Sequence, residues 1–149
     1  VLIKLEKYYN GGLFMRHMLY ATNRDWFKNV SKLSLSENSK VAFWRTSDTK
    51  NFSKNIKRGD VVLLLVDVGG RKEVVGIGTF EYFCSTITVG DLWNKYGKNT
   101  GANSQNDLIA QLNVSGNRTP YCVSTGISYI ELSNVQSDLR LGNSPWRLL

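Results

Sequence analysis

Most of the residue types that build catalytic centres are scarce in this chain. Its 149 residues include one histidine, His17, and two cysteines, Cys84 and Cys122. Two cysteines cannot form a zinc ribbon or a disulfide-rich scaffold. A single histidine excludes most His-based metal sites and leaves few Ser–His or Cys–His pairings. No apolar run approaches the roughly 18–20 residues of a membrane span, and the N-terminus carries no signal pattern. P-loop, G-x-S-x-G and H-E-x-x-H motifs are absent, and no carboxylate pair stands out. Acidic residues are also few, 12 Asp plus Glu against 19 Lys plus Arg, for a net charge of +7. The reading is a cytoplasmic chain with no cofactor, no metal and no membrane partner. It begins at Val1, which suggests the N-terminal fragment of a longer protein.

What remains is ample for a core. The chain is 42% hydrophobic and 11% aromatic, and its length is that of one domain, by the usual ~100–200 residues. No internal repeat or linker divides it, so residues 1–149 read as a single domain. Residues 13–22 (LFMRHMLYAT) read as a strand leading into a helix. Thr22 opens that helix and Asp25 follows as in a capping box, with Trp26, Phe27, Val30 and Leu33 on one face. Residues 41–47 form a short aromatic strand, and residues 51–57 a helical turn. Gly59 and Asp60 lead into the apolar run 61–68, which reads as fully buried. Gly69-Gly70-Arg71 makes a hairpin turn, and 73–84 returns beside the run. Gly76 and Gly78 share a face of the returning strand, which points to curvature or a close approach. Residues 88–96 and 104–112 each open with a Thr or Ser cap and an Asp three positions on, and read as short helices. Residues 126–135 alternate as a last strand, and the final residues look irregular.

These elements lack the regular βαβ alternation of a doubly wound sheet. They fit an α+β fold: a small curved, partly closed β-barrel of about five or six mostly antiparallel strands with three short flanking helices. Basic residues cluster on it as they would for phosphate contacts. Arg24, Lys28 and Lys32 lie on the first helix, and Lys50, Lys54, Lys57 and Arg58 precede the hairpin. Arg71 sits at its turn, Lys95 and Lys98 follow Trp93, and Arg45 follows Trp44. Aromatics alternate with these cations: Tyr20, Trp26, Trp44, Tyr82 and Trp93. Flat rings suit a flipped or single-stranded base, which stacks on them while nearby polar groups read its edge. Trp44 stands at a strand end before Arg45, Thr46 and Ser47. Trp26 reads equally as a core residue.

The order of the motifs carries a resemblance. They are YATNRDWF at 20–27, FWRTS at 43–47, NF at 51–52, GD at 59–60, VGIGTF at 75–80, LWNKYG at 92–97 with Asn99 and Gly101, and GISYIEL at 126–132. Across residues 19–135 this order resembles the PUA-like superfamily of EVE, YTH and ASCH-type domains. It is most similar to the domain preceding an HNH nuclease in modification-dependent restriction enzymes; similar domains precede McrB-type GTPase motors. The resemblance implies a PUA-like barrel that takes up an extruded modified base. Trp44 would form one wall of an aromatic cage with Thr46 and Ser47 beside it, Asn23 would supply polar contacts, and Trp93 would be a second wall. The expected role is a non-catalytic reader of nucleic acid, modified DNA before RNA. No HNH or GTPase motif occurs in the chain, so cleavage would belong to an effector nuclease or motor in cis or in trans. Two alternatives stay open: an RNA-binding PUA-like module, and an ASCH-type enzyme acting on modified nucleosides, for which Lys57, Asp60 and Glu81 are the residues to test.

Overall fold

The computed structural model describes residues 2–7, 13–21, 24–36, 38–45, 56–115, 120–137 and 146–148. Two strands open the chain, β1 (Leu2–Lys7) and β2 (Leu13–Ala21), followed by α1 (Arg24–Ser31) and β3 (Lys40–Arg45). The central hairpin is β4 (Val61–Val68) and β5 (Arg71–Thr88). Then come α2 (Val89–Tyr96), a 3₁₀ turn (Gly97–Thr100), α3 (Gln105–Ser115), β6 (Gly126–Ser137) and β7 (Trp146–Leu148). The α+β class, the mainly antiparallel sheet and the three short helices agree with the sequence reading.

The strand count differs from that reading. Seven strands occur among the described residues, in the order β3-β6-β5-β4-β2-β1-β7. Neither β1 nor β7 was anticipated; β7 is three residues long and pairs with β1. The end strands β3 and β7 are not neighbours, so the hydrogen-bonded order is that of an open sheet. The β3-β6-β5-β4 side of the sheet is antiparallel throughout, and β2 joins β4 in parallel.

The β4–β5 hairpin turns on Gly69 and Gly70 at φ 59° and 83°, the paired positive angles of the tight turn that matches strand twist. Both faces of β4 are covered at its centre, where Val62 and Leu64 are fully buried and Leu63 is 2% exposed. β5 runs 18 residues because it serves two neighbours, β4 along its first half and β6 over most of its length. Register shifts break the β5–β6 ladder at Ile77/Thr79, Phe80/Tyr82 and Cys84/Ile87, and each bulge bends the strand. Gly76 reflects close approach as well as curvature: a Cβ there would meet the Gln136 carbonyl at 2.7 Å and the Phe27 ring at 3.1 Å.

The helices begin where capping chemistry permits. The Thr88 hydroxyl accepts from the Asp91 amide at 3.1 Å, and the Ser104 hydroxyl from the Asp107 amide at 3.0 Å, each satisfying a first-turn donor. The apolar stripe of α3 is Leu108 and Leu112, both fully buried. On α1, Trp26 and Val30 fill the core and Phe27 packs beside it. Thr22, the expected opening of that helix, and residues 51–55 of the expected helical turn lie outside the described residues.

One end of the sheet is closed by side chains. Among the described residues β3 pairs with β6 alone, which leaves the backbone groups of its other edge outside the ladder. The Lys40 carbonyl accepts from Asn99 Nδ2 at 2.9 Å, and the Ala42 carbonyl from Trp26 Nε1 at 3.0 Å. The 3₁₀ turn lies along this edge, held by Trp44 Nε1 donating to the Thr100 carbonyl at 3.1 Å.

Candidate nucleic-acid interface

The four expected aromatic walls with described side chains separate into two environments. Trp26 is fully buried, packs edge-on against Phe43 with ring centroids 4.7 Å apart, and donates to Ala42. Gly101 lies against its indole so closely that a Cβ would fall 2.2 Å from Cδ1. Trp26 offers no face to a base and is a core residue, which corrects its place among the base-binding candidates. Trp44 is 3% exposed and lies opposite Tyr129 on β6. Tyr82 and Trp93 are half-buried and pack against the core. Tyr20 lies in β2, in register with Leu64 of β4. Asn23, Thr46, Ser47, Lys50 and Lys54 lie outside the described residues.

The densest polar cluster includes residues that were not selected from the sequence. Tyr82 of β5, Tyr96 of α2 and Tyr129 of β6 bring their hydroxyls together. Tyr82 and Tyr129 share a hydrogen bond at 2.5 Å, and Tyr96 lies 3.0 and 3.1 Å from them. At the inner end the Tyr96 hydroxyl donates to the Glu131 carboxylate, which is 9% exposed. At the outer end Lys95 Nζ donates to Tyr82 at 2.5 Å and to Tyr129 at 3.3 Å. The ammonium also stands 5.2 and 5.3 Å from the ring centroids of Tyr82 and Tyr96, within cation–π range. Burial raises the Tyr96 and Tyr129 hydroxyls above the ordinary tyrosine pKa, with the Glu131 bond adding to the effect on Tyr96. Both stay neutral phenols near pH 7. Lys95 is held above the usual lysine range by its bonds to Tyr82 and Tyr129, so it remains a full cation.

The bulge between Phe80 and Tyr82 assembles this cluster. Phe80 pairs with Leu132, and after the shift Tyr82 pairs with Glu131 and Cys84 with Tyr129. Without the extra residue Tyr82 would face Ile130, and its side chain would fall on the opposite side of the sheet. Tyr129 and Glu131 share a face by the period-2 alternation of β6. That spacing and the adjacent Lys95-Tyr96 pair were the available signals for residues the sequence reading missed.

Charge is unevenly disposed around the cluster. Several acids are occupied internally. Glu81 bonds Ser133 at 2.5 Å, Lys40 at 3.1 Å and Arg58 at 3.0 Å. Asp60 accepts from the Lys57 amide, Asp67 from the Gly70 amide and Asp107 from the Asn103 amide. Glu131 accepts from Tyr96. Of the expected phosphate-contacting residues with described side chains, Arg24, Lys28, Lys57, Arg71, Lys95 and Lys98 are exposed and Arg45 is half-buried. Arg24 also donates to the Asp67 carbonyl at 2.8 Å, tying α1 to β4.

Two of the three residues named for an enzymatic alternative, Asp60 and Glu81, have their carboxylates engaged structurally. Asp60 closes a turn on the main-chain amide of Lys57, whose side chain is exposed, and Glu81 sits in its ion pairs. The Ser133 bond, followed by those from Lys40 and Arg58, holds the Glu81 carboxyl at about 2, a weak base at neutral pH. Among the described residues no group of three or more His, Cys, Asp or Glu is placed to hold a metal ion, and no helix is long and apolar enough to cross a membrane. No protein-family model matches the chain, and no curated protein matches it significantly in sequence.

Proposed function

We propose that the chain is a non-catalytic nucleic-acid-binding module that reads a flipped, modified base in DNA, serving as the specificity domain of a modification-dependent restriction system. The observation that carries the reading is the asymmetric use of charge. Five carboxylates, of Asp60, Asp67, Glu81, Asp107 and Glu131, are taken up by turns, a cap and internal bonds, while Lys28 on α1, Lys57, Arg71 of the central hairpin and Lys95 on α2 are exposed. A +7 chain so arranged attracts a polyanion. The motif order across residues 19–135 supports a PUA-like domain. Bends concentrated in β5 are what rolling such a sheet into a partly closed barrel requires. Half-buried Trp93 on α2 and Tyr82 on β5 are the ring candidates for the base, with Thr46, Ser47 and Asn23 as polar readers. Trp44, 3% exposed and bonded to the Thr100 carbonyl, is packed into the core as Trp26 is. Cleavage belongs to an effector nuclease or motor in cis or in trans.

The test is fluorescence anisotropy with methylated, hydroxymethylated and unmodified DNA duplexes and matched RNA, repeated across salt concentrations. Modified DNA binds tightest, and log affinity falls linearly with log salt, with a slope of about −0.9 per phosphate neutralised. Trp93→Ala weakens binding to modified duplexes by roughly ten-fold, in keeping with a stacking contribution of ~1–3 kcal/mol per base. Preference for RNA favours the RNA-binding alternative; equal affinity for modified and unmodified duplexes removes base reading.

A further inference from the structure

We propose that Lys95, held on the hydroxyls of Tyr82 and Tyr129, is a fixed seat for one phosphate group of the bound nucleic acid. The inference rests on the nucleic-acid reading and adds to it a position and a mechanism of pre-organisation.

Proton accounting gives the cluster a direction. A phenol has one proton to donate. Tyr96 gives its proton to Glu131, so its oxygen accepts from Tyr82 at 3.0 Å; its 3.1 Å contact with Tyr129 has the geometry of Tyr96 as donor and is left without a proton. Tyr82 and Tyr129 have two protons between them. Tyr129 gives its proton to the mutual bond at 2.5 Å, and Tyr82 points its own to Tyr96. Neither proton is therefore directed at Lys95, and lone pairs on both oxygens are left to accept from it. Its ammonium donates to both and keeps one of its three N–H groups for a ligand. The buried carboxylate thus orients a lysine it does not touch, through three phenols.

The arrangement differs from an ordinary surface ion pair. Lys40 and Arg58 are directed to Glu81, whose negative charge offsets theirs. Lys95 is held by neutral oxygens, and among the described residues no carboxylate pairs with it. Its position is fixed while its charge stays uncompensated. An exposed lysine ordinarily samples many rotamers and loses them on binding; this one is already confined. A phosphodiester, a monoanion with two free acceptor oxygens, complements one fixed positive charge with one free N–H.

The experiment combines binding with lysine-ammonium NMR on the whole chain. In wild type, the Lys95 Nζ ammonium gives a resolved, slowly exchanging 15N–1H signal that shifts on adding either oligonucleotide or inorganic phosphate, and not with equivalent chloride. Lys95→Gln lowers oligonucleotide affinity five- to ten-fold and reduces the magnitude of the salt slope by about 0.9, the value of one lost duplex phosphate contact. Tyr96→Phe keeps every lysine but removes the inner acceptor. It lowers affinity by about three-fold, leaves the salt slope unchanged and speeds exchange of the Lys95 signal. A wild type that binds oligonucleotide alongside a Lys95→Gln variant of equal affinity and slope overturns the seat while leaving the nucleic-acid reading intact. A wild type that binds no oligonucleotide, with Lys95 still responding to inorganic phosphate, overturns the nucleic-acid reading and leaves the seat as a site for free phosphate. Response to neither ligand overturns both.

Discussion

Gly101→Ala tests the packing that joins the 3₁₀ turn to the sheet. Gly101 has a left-handed backbone, φ 79° and ψ 16°, where alanine is disfavoured by about 1–2 kcal/mol. Space is the larger problem. The added Cβ would lie 2.2 Å from Cδ1, 2.7 Å from Cγ and 2.8 Å from Nε1 of Trp26, a side chain with no exposed surface. The backbone is poorly placed to retreat, because the Gly101 carbonyl accepts from Asn29 Nδ2 and from Gln111 Nε2, each at 2.9 Å. The indole must move instead. Overpacking of this kind costs about 1–3 kcal/mol, and losing the Trp26 bond leaves the Ala42 carbonyl unpaired for about 1–3 kcal/mol more. A loss near 4 kcal/mol is expected, a large share of a typical stability of about 5–15 kcal/mol. In urea denaturation it lowers the midpoint by about 2 M at an m-value near 2 kcal/mol/M. Gly70→Ala is the control. Gly70 also has a positive φ, 83°, but no atom lies within 4 Å of its would-be Cβ, so its loss stays near 1 kcal/mol. Equal losses in the two variants would refute the argument that the indole, rather than the backbone angle, requires glycine at 101.

Two further predictions concern ionisation. Glu81 has its carboxyl lowered from 4.5 to about 2, first by the Ser133 hydrogen bond and then by Lys40 and Arg58. A folded pKa below the unfolded one gives stability that is complete above about 4.5 and is lost as pH falls toward 2. Glu81→Gln therefore costs about 2 kcal/mol at pH 7, and its melting temperature converges with that of wild type in acid; parallel curves across that range would contradict the pairing. Cys122 is exposed, and hydrogen bonds from Ser124 and Thr125 lower its thiol from 9.0 to about 7. Iodoacetamide should label it faster than half-buried Cys84, with a rate midpoint near pH 7 that rises in Ser124→Ala; a midpoint near 9 in wild type would exclude the activation.

Elements defined by local chemistry were legible in the sequence. The apolar run ending at Gly69-Gly70 is β4 over its full length, because a β-branched and leucine-rich run followed by a two-glycine turn leaves little alternative. The run is not fully buried as expected, since Val61 and Leu65 are half-buried and Asp67 is exposed. Thr88 and Ser104 cap the helices they were expected to cap, since an N-cap bond spans only three residues. Long-range geometry was not legible. β7 is a three-residue strand whose pairing with β1 has no local signal. Trp26 and Trp44 look alike in sequence. What removes Trp26 from any base is Gly101 against its ring and Ala42 at its Nε1, contacts 75 and 16 positions distant (101 − 26 and 42 − 26). The tyrosine cluster depends on a one-residue bulge at Phe80/Tyr82. Neither strand's pattern announces that bulge, because an uninterrupted alternation points Tyr82 to the opposite face.

The sealed edge at β3 bears on how copies of this protein meet. A sheet edge recruits another strand when its carbonyls and amides await partners. Here Asn99 and Trp26 already occupy the carbonyls of Lys40 and Ala42, so an incoming strand would have to displace a fully buried indole before forming its first bonds. At +7 two copies also repel one another at low salt. Self-association by strand addition is thus opposed at this end of the sheet by both contact geometry and long-range charge, while that same charge draws polyanions in.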